Sequence, residues 1–354
     1  MYLIAQGTAV QGQAGVRASR KIARMKLSVL DQSVAIAGRG EDAAIRDTLD
    51  LAVHCESLGY HRFWLSEHHG MPTIVGSAPE ILMAAVAART ERIRIGSAGI
   101  MLPHYAAFKV AEQFRVLESL APGRIDLGVG RAPGSDMRTA QALNPDAAIA
   151  AEAFPQQVLD LQAWTSLPRH RGISAHPLSP HAPQLWVLGS SDYGAQLAAQ
   201  FGLPYAFAYF FADGQGTEQA MALYRARYRP SERHPDPQAT LCVWALAADT
   251  EEEAQHHTLS RERWRVDRQR GLFRPLQAPA EVAEHGFQAD ELAIVESMRR
   301  KAFVGTASQV GHKLRALAAR FELDELVVNT WACDPAARRR SYALLAGEFD
   351  LVSP

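Results

Sequence analysis

The sequence predicts a single (β/α)8 barrel of the TIM type, with a helical insertion between its seventh and eighth strands. Three observations carry this. From Met25 onward, short β-type runs alternate with longer amphipathic segments, and eight strands are read in order. No GxGxxG turn follows the first strand, which weakens the doubly wound open sheet as an alternative. A chain of 354 residues, 47% of them hydrophobic, is long enough to bury one such barrel.

The elements follow in order. Residues 27–30 form the first strand, and residues 41–58 a helix with Ile45, Leu49, Ala52 and Val53 at helical spacing, stopped by Gly59. Strand 61–65, helix 78–90, strand 93–102 and helix 106–120 come next, the last ended by Pro122-Gly123. Strand 124–129 leads through a Pro/Ala-rich loop to helix 151–164. Strand 184–188, helix 193–202, strand 205–209, helix 217–228 and strand 241–247 complete seven strands. The final strand is Glu325–Asn329, and Pro335–Glu348 a closing helix. Between the last two strands, residues 251–301 are rich in Arg and Glu, with Pro275 and Pro279 and no strand pattern. They read as helices covering one mouth of the barrel. Active sites of such barrels lie at the C-terminal ends of the strands, where an excursion of this kind acts as a lid.

Composition narrows the function classes. Lys and Arg number 37 against 38 Asp and Glu, a net charge of -1, which argues against a nucleic-acid footprint or an electrostatic membrane anchor. No uninterrupted apolar run reaches transmembrane length. Cys55, Cys242 and Cys333 are scattered without a CxxC pair and read as reduced thiols that fill space in a cytoplasmic protein. Residues 1–24, rich in Gly, Ala, Gln and Arg, lack periodicity and a cleavage-site pattern. They are expected to be a disordered extension ahead of one domain over 25–354.

Four segments could carry chemistry. Glu67-His68-His69 falls where the second strand meets its loop. Two imidazoles and a carboxylate can relay protons, ligate a metal or simply pack. No partner set for a metal is found on the fourth to sixth strands, so no metal is expected. In residues 124–134, alternation puts Ile125, Leu127 and Val129 on one face and Asp126, Gly128 and Gly130 on the other. Inward glycines leave room for a flat ring, and Arg131 just past the strand offers a bidentate donor to phosphate. Residues 188–194 leave the fifth strand and enter a helix. Ser190 and Ser191 there form either a phosphate cradle or an ordinary capping turn with Ser191 or Asp192 as N-cap. The small residues of strand 93–102 suggest a bulge or close approach of a ligand. Trp186, Phe207, Tyr209 and Phe210 are candidates to line an apolar pocket.

In this order, the runs 64–69, 96–103, 113–124 with 128–131, and 188–204 resemble the bacterial luciferase-like flavin monooxygenases, from about Met25 to the C-terminus. The resemblance implies a (β/α)8 barrel that takes reduced FMN from a separate reductase and reacts it with molecular oxygen. A flavin hydroperoxide would then oxygenate a small organic substrate. It also implies that His68 is the catalytic histidine, with Glu67 and His69 beside it. Ala98-Gly99 would be the small pair, often joined by a cis peptide, against which the isoalloxazine packs. Arg131, Ser190, Ser191, Tyr193 and Gly194 would surround the phosphate, with Tyr209 near the flavin. Two departures, Gly130 where luciferase has a cysteine and Gly194 where a threonine touches phosphate, argue for a non-luminescent branch. The runs 30–33 and 131–134 resemble that branch. No nicotinamide motif is present, consistent with a partner reductase. The alternatives are a deazaflavin-dependent hydride transferase and a non-catalytic flavin carrier. A homodimer is expected, by analogy, through the alanine-rich helix 78–90.

Overall fold

Alternation along each strand sends one row of side chains toward surrounding helices and the other into the barrel. In the computed structural model, which describes residues 25–131 and 135–351, this yields nine parallel strands with helices between them. The extension at 1–24 and the 132–134 part of the arginine loop lie outside the described residues. The strands are β1 Lys26–Asp31, β2 Arg62–Leu65, β3 Arg94–Met101, β4 Ile125–Gly130, β5 Gln184–Gly189, β6 Tyr205–Phe207, β7 Ala239–Ala248, β8 Phe303–Thr306 and β9 Glu325–Asn329. Strands β1 to β7 and β9 close an eight-stranded ring, β6 pairing with β7 and β9 with both β7 and β1.

The expected fold is present, with additions. Strand β8 pairs only with the far end of β7, Ala245 opposite Phe303, outside the ring. The stretch read as a loop after β4 holds two short helices, α4 Met137–Leu143 and α5 Ala147–Glu152. They follow α1 Glu41–Ser57, α2 Pro79–Ala87 and α3 Ala107–Leu120. The remaining helices are α6 Phe154–Ser166, α7 Asp192–Phe201, α8 Thr217–Arg227, α9 Glu251–Gln269, α10 Pro279–His285, α11 Ala289–Lys301, α12 Ala307–Arg320 and α13 Pro335–Glu348. The sixth strand stops at Phe207, and Tyr209–Phe211 turn into a short 3-10 segment.

The outward row (Leu27, Val29, Phe63, Leu65, Ile95, Ile125, Leu127 and Val129 among others) is buried against the helices in the main core. The inward row forms layers. At the N-terminal ends lies a buried ionic network. Asp126 accepts from Arg62 at 2.7 Å, Arg94 at 2.5 Å and Trp64 Nε1 at 3.0 Å, while Glu325 accepts from Arg62 at 2.9 Å and Ser28 at 2.5 Å. Above it, Trp64 and Trp186 meet edge to face at 5.2 Å among Leu30, Ala206, Cys242 and Val327. Gly96 is required here, because a Cβ would lie 2.7 Å from both the Trp64 ring and Asp126. The barrel interior is a packed plug rather than an open channel. Cys55 and Cys242 are buried and Cys333 half-buried, all three free thiols. No helix among the described residues is long and apolar enough to cross a membrane.

Candidate active site

Each rim group is set by the strand beneath it. After β1, Asp31 accepts from the Ser33 amide at 2.7 Å and fixes the turn, which aims Gln32 across the mouth. Gln32 Oε1 accepts from Asn329 Nδ2 at 2.5 Å and from Trp331 Nε1 at 3.1 Å, so one side chain ties the ends of β1 and β9. Asn329 Oδ1 is buried and without a partner.

After β2 the run Ser66-Glu67-His68-His69 divides into two units. Glu67 is fully buried and accepts from His69 Nε2 at 2.7 Å, Tyr105 Oη at 2.7 Å and the Met101 amide at 3.0 Å. It locks the β2 loop onto the end of β3 and makes no hydrogen bond to the His68 ring. The partner of His68 is Ser66, whose Oγ lies 3.2 Å from His68 Nδ1. The other ring nitrogen makes no hydrogen bond among the described residues. Burial, then the charge of Arg268, pull His68 down to about 4, against the opposing pull of Glu67. It is a neutral imidazole at pH 7, not the half-titrated ring its sequence position suggests.

The glycines of β3 and β4 sit close against neighbouring protein atoms. A Cβ on Gly128 would lie 2.2 Å from the Ser97 carbonyl oxygen, and one on Gly99 would lie 2.3 Å from Leu188 Cδ1. These glycines admit a bulge in β3, where register shifts between Ser97 and Ile100. Ser97 Oγ bridges the bulge to the Gly128 backbone at 2.9 and 3.1 Å. The Ala98–Gly99 peptide bond is cis. Ala98 and Leu188 border the aromatic plug from the mouth side, and Gly130 faces the Met101 thioether.

A cationic corner lies between β4 and β5. The Arg131 guanidinium is exposed and stacks 4.2 Å over the Tyr193 ring. It makes no ion pair among the described residues. Ser191 is the N-cap of α7 but makes no side-chain cap, so the first-turn amides stay available beside the exposed Ser190 and Ser191. Gly194 is explained by packing, since a Cβ would meet Tyr205 at 3.3 Å. Tyr209 turns away from the mouth, 6.1 Å from the Phe303 ring, and Phe210 is the aromatic from this segment that reaches the inner cluster.

Sequence reasoning did not single out the lid contacts. Helix α9 crosses the mouth: Trp264 donates to Thr73 Oγ1 at 2.9 Å and meets Trp331 at 4.7 Å, and Arg265 grips Asp213 at 2.7 and 3.0 Å. Leu276 pairs by backbone with Ala35 and Ala37 of the β1 loop at 2.9 and 2.8 Å. The spacing of Arg261, Trp264, Arg265 and Arg268 was the available signal, one helical face mixing aromatic and cationic residues. Among the described residues no three His, Cys, Asp or Glu side chains gather to hold a metal ion.

These residues could hold a phosphate-bearing cofactor of the flavin type. The unpaired Arg131 with the α7 N-terminus suits a dianionic phosphate, and the orphaned Asn329 Oδ1 and apolar Ala98–Leu188 floor suit a polar-edged flat ring.

The sequence profile described as luciferase-like monooxygenase matches residues 25–322. The chain is 38% identical over 319 residues to a luciferase-like monooxygenase of Escherichia coli (strain K12), covering 90% of this chain and 95% of that protein. It is 33% identical over 330 residues to N-acetyl-S-alkylcysteine monooxygenase of Bacillus subtilis (strain 168), covering 91% and 97%. Apo-MsnO8 shares the fold with a TM-score of 0.88 at 35% identity, covering 93% of this chain and 99% of that one.

Proposed function

The chain belongs to the luciferase-like monooxygenase family and is an oxidoreductase, and on that premise we propose that it oxygenates a small organic substrate using reduced FMN from a separate reductase and molecular oxygen. The observation that carries the cofactor reading is the free Arg131 guanidinium stacked on Tyr193 at the start of α7. Reduced flavin supplies the two electrons that make oxygen reactive.

The protein's own residues do the rest. Arg131, Ser190, Ser191 and the first-turn amides of α7 bind phosphate. Ala98, Gly99 and Gly130 give the ring a smooth wall, with Phe210 rather than Tyr209 as the nearer aromatic. Ser66 orients His68, whose free nitrogen holds or returns a proton at the reacting edge. Glu67 and His69 position that loop. Helix α9 with Trp264 and Trp331 excludes water, which protects any reactive oxygen species from wasteful breakdown. The homodimer expected through helix 78–90 belongs to the same reading, and Ile81 of α2 is 67% exposed there.

The test is a flavin titration of wild type and Arg131→Ala. A charge-assisted contact of roughly 1.5–3 kcal/mol corresponds to about a 10- to 150-fold weakening for FMN. Riboflavin affinity stays within about twofold. Equal FMN affinity in the variant removes the phosphate assignment, and a preference of wild type for a deazaflavin would replace oxygen activation by hydride transfer.

A further inference from the structure

We propose that the mouth of this barrel is built for an anionic organic substrate, a carboxylate with an apolar tail, whose charged end pairs with Arg261. This rests in part on the monooxygenase reading, which makes the mouth the substrate's place.

Arg261, on α9, is 9% exposed, and its guanidinium lies 3.9 Å from the Trp244 ring centroid. Among the described residues it has no hydrogen bond and no ion pair. The two acids whose charges reach it are already engaged. Asp213 receives both nitrogens of Arg265, at 2.7 and 3.0 Å, and Glu262 receives Arg299 at 2.7 Å on each oxygen. Burial pulls Arg261 down to about 9, so it stays cationic at neutral pH, and none of its nitrogens pairs with a described residue. The Trp244 indole nitrogen beneath it is a buried donor with no acceptor.

The placement points inward. Trp244 belongs to the inward row of β7 with Cys242, and its register partner Asn329 ends β9 at the rim. Arg261, Arg265 and Arg268 stand at i, i+4 and i+7, one face of α9. Arg265 reaches the loop after β6, and the Arg268 charge acts on His68. Arg261 therefore sits over the β7 end of the mouth, on the helix face that also carries Arg268. Around Trp244 the same cluster brings Trp331, Phe210, Met71 and Val34, an apolar wall for a hydrocarbon tail. The Arg131 corner lies between β4 and β5, whereas Arg261 stands over β7, beyond β6 in the ring. Two cations at two rim positions fit two ligands, one anionic cofactor and one anionic substrate.

The probes are hexanoate and 1-hexanol, titrated into the full chain by tryptophan fluorescence and calorimetry. Wild type should prefer hexanoate by about 10-fold or more. Arg261→Met should lose that preference and Arg261→Lys keep part of it. Arg261→Met should melt close to wild type, because it breaks no hydrogen bond or ion pair and keeps an apolar stem against Trp244. FMN and riboflavin affinities, oxidised and reduced, should change by less than about twofold. The proposal is overturned if wild type shows no preference, if Arg261→Met keeps it, or if that variant melts well below wild type as a structural arginine would. It also fails if Arg261→Met loses FMN relative to riboflavin or binds reduced flavin more weakly, which would assign the cation to the cofactor. Failure of wild type to bind FMN at all sinks the flavin reading instead and leaves the hexanoate comparison decisive.

Discussion

His68 shows how far a residue's surroundings change its chemistry. An imidazole free in water titrates near 6.5, but burial and then Arg268 hold this one near 4. Because the folded value lies below the unfolded one, the unfolded chain takes up the proton first. Stability is therefore complete above about pH 6.5 and falls by up to roughly 3 kcal/mol as pH drops toward 4. His61, pulled down to about 3 chiefly by burial, acts in the same direction. Denaturation of His68→Gln and His61→Gln against pH separates the two contributions, each variant flattening its own share. In catalysis, kcat/KM should show no inflection near 6.5, its acid limb lying close to 4. His68→Ala should bind FMN within a few-fold of wild type yet lose oxygenation by roughly 10²- to 10⁴-fold. Normal product yield per oxygen consumed in that variant would make the ring a packing group. The histidine was visible in the sequence. Its neutrality was not, because Arg268, which helps to set it, lies 200 positions away.

Among the elements, α9 is the one whose function depends on what it touches. Its sequence marks a solvent-facing charged helix, and Thr250 caps it by accepting from the Glu253 amide at 3.1 Å. Tertiary contacts turn it into a cover, fastened by Trp264 and Arg265 to the loops after β2, β9 and β6. Trp264→Ala removes one hydrogen bond and one ring contact from a half-buried position, a cost of roughly 2–3 kcal/mol. The loosened cover should admit water, so more hydrogen peroxide is released per oxygen consumed, and residues 251–301 should become sensitive to limited proteolysis. Unaltered coupling with unaltered proteolysis would remove the lid role. The helical character of 251–301 was legible, but β8 and α12 beyond it were not. Four residues pairing with the far end of β7 leave little pattern, although Thr306 and Gln309 form a capping box that marks where α12 begins.

At the scale of the whole molecule, the floor of the barrel is ionic. Arg62, Arg94, Asp126 and Glu325 come from four strands and meet only when the ring closes. Burial opposes the Asp126 charge, but Arg62 and Arg94 hold its carboxyl below the usual range. Asp126→Asn would leave two arginines short of a counter-charge in a dry interior, a loss of about 3–5 kcal/mol. Urea denaturation should record that loss while FMN affinity, set at the opposite end of the strands, stays within about twofold. A loss under 1 kcal/mol would mean that water or rearrangement satisfies the arginines. A barrel that fills its lower half this way can devote its upper rim to ligands, in keeping with the division between stability and activity faces in such folds.

The sequence by itself determined the barrel, since strand alternation and helical spacing are local properties that survive without knowledge of contacts. It also placed Arg131, the Ser190–Ser191 turn and His68 at strand ends, where position alone puts them on the rim. Only the tertiary structure decided what these groups face. It assigned Glu67 to the β3 loop and Ser66 to His68, filled the space at Gly99 and Gly128 with Leu188 and the Ser97 carbonyl, and turned Phe210 inward in place of Tyr209. It left Arg261 stacked on Trp244 with no ion pair among the described residues. Pairing, burial and vacancy are relations between residues far apart in the chain, and they exist only once the ring has closed.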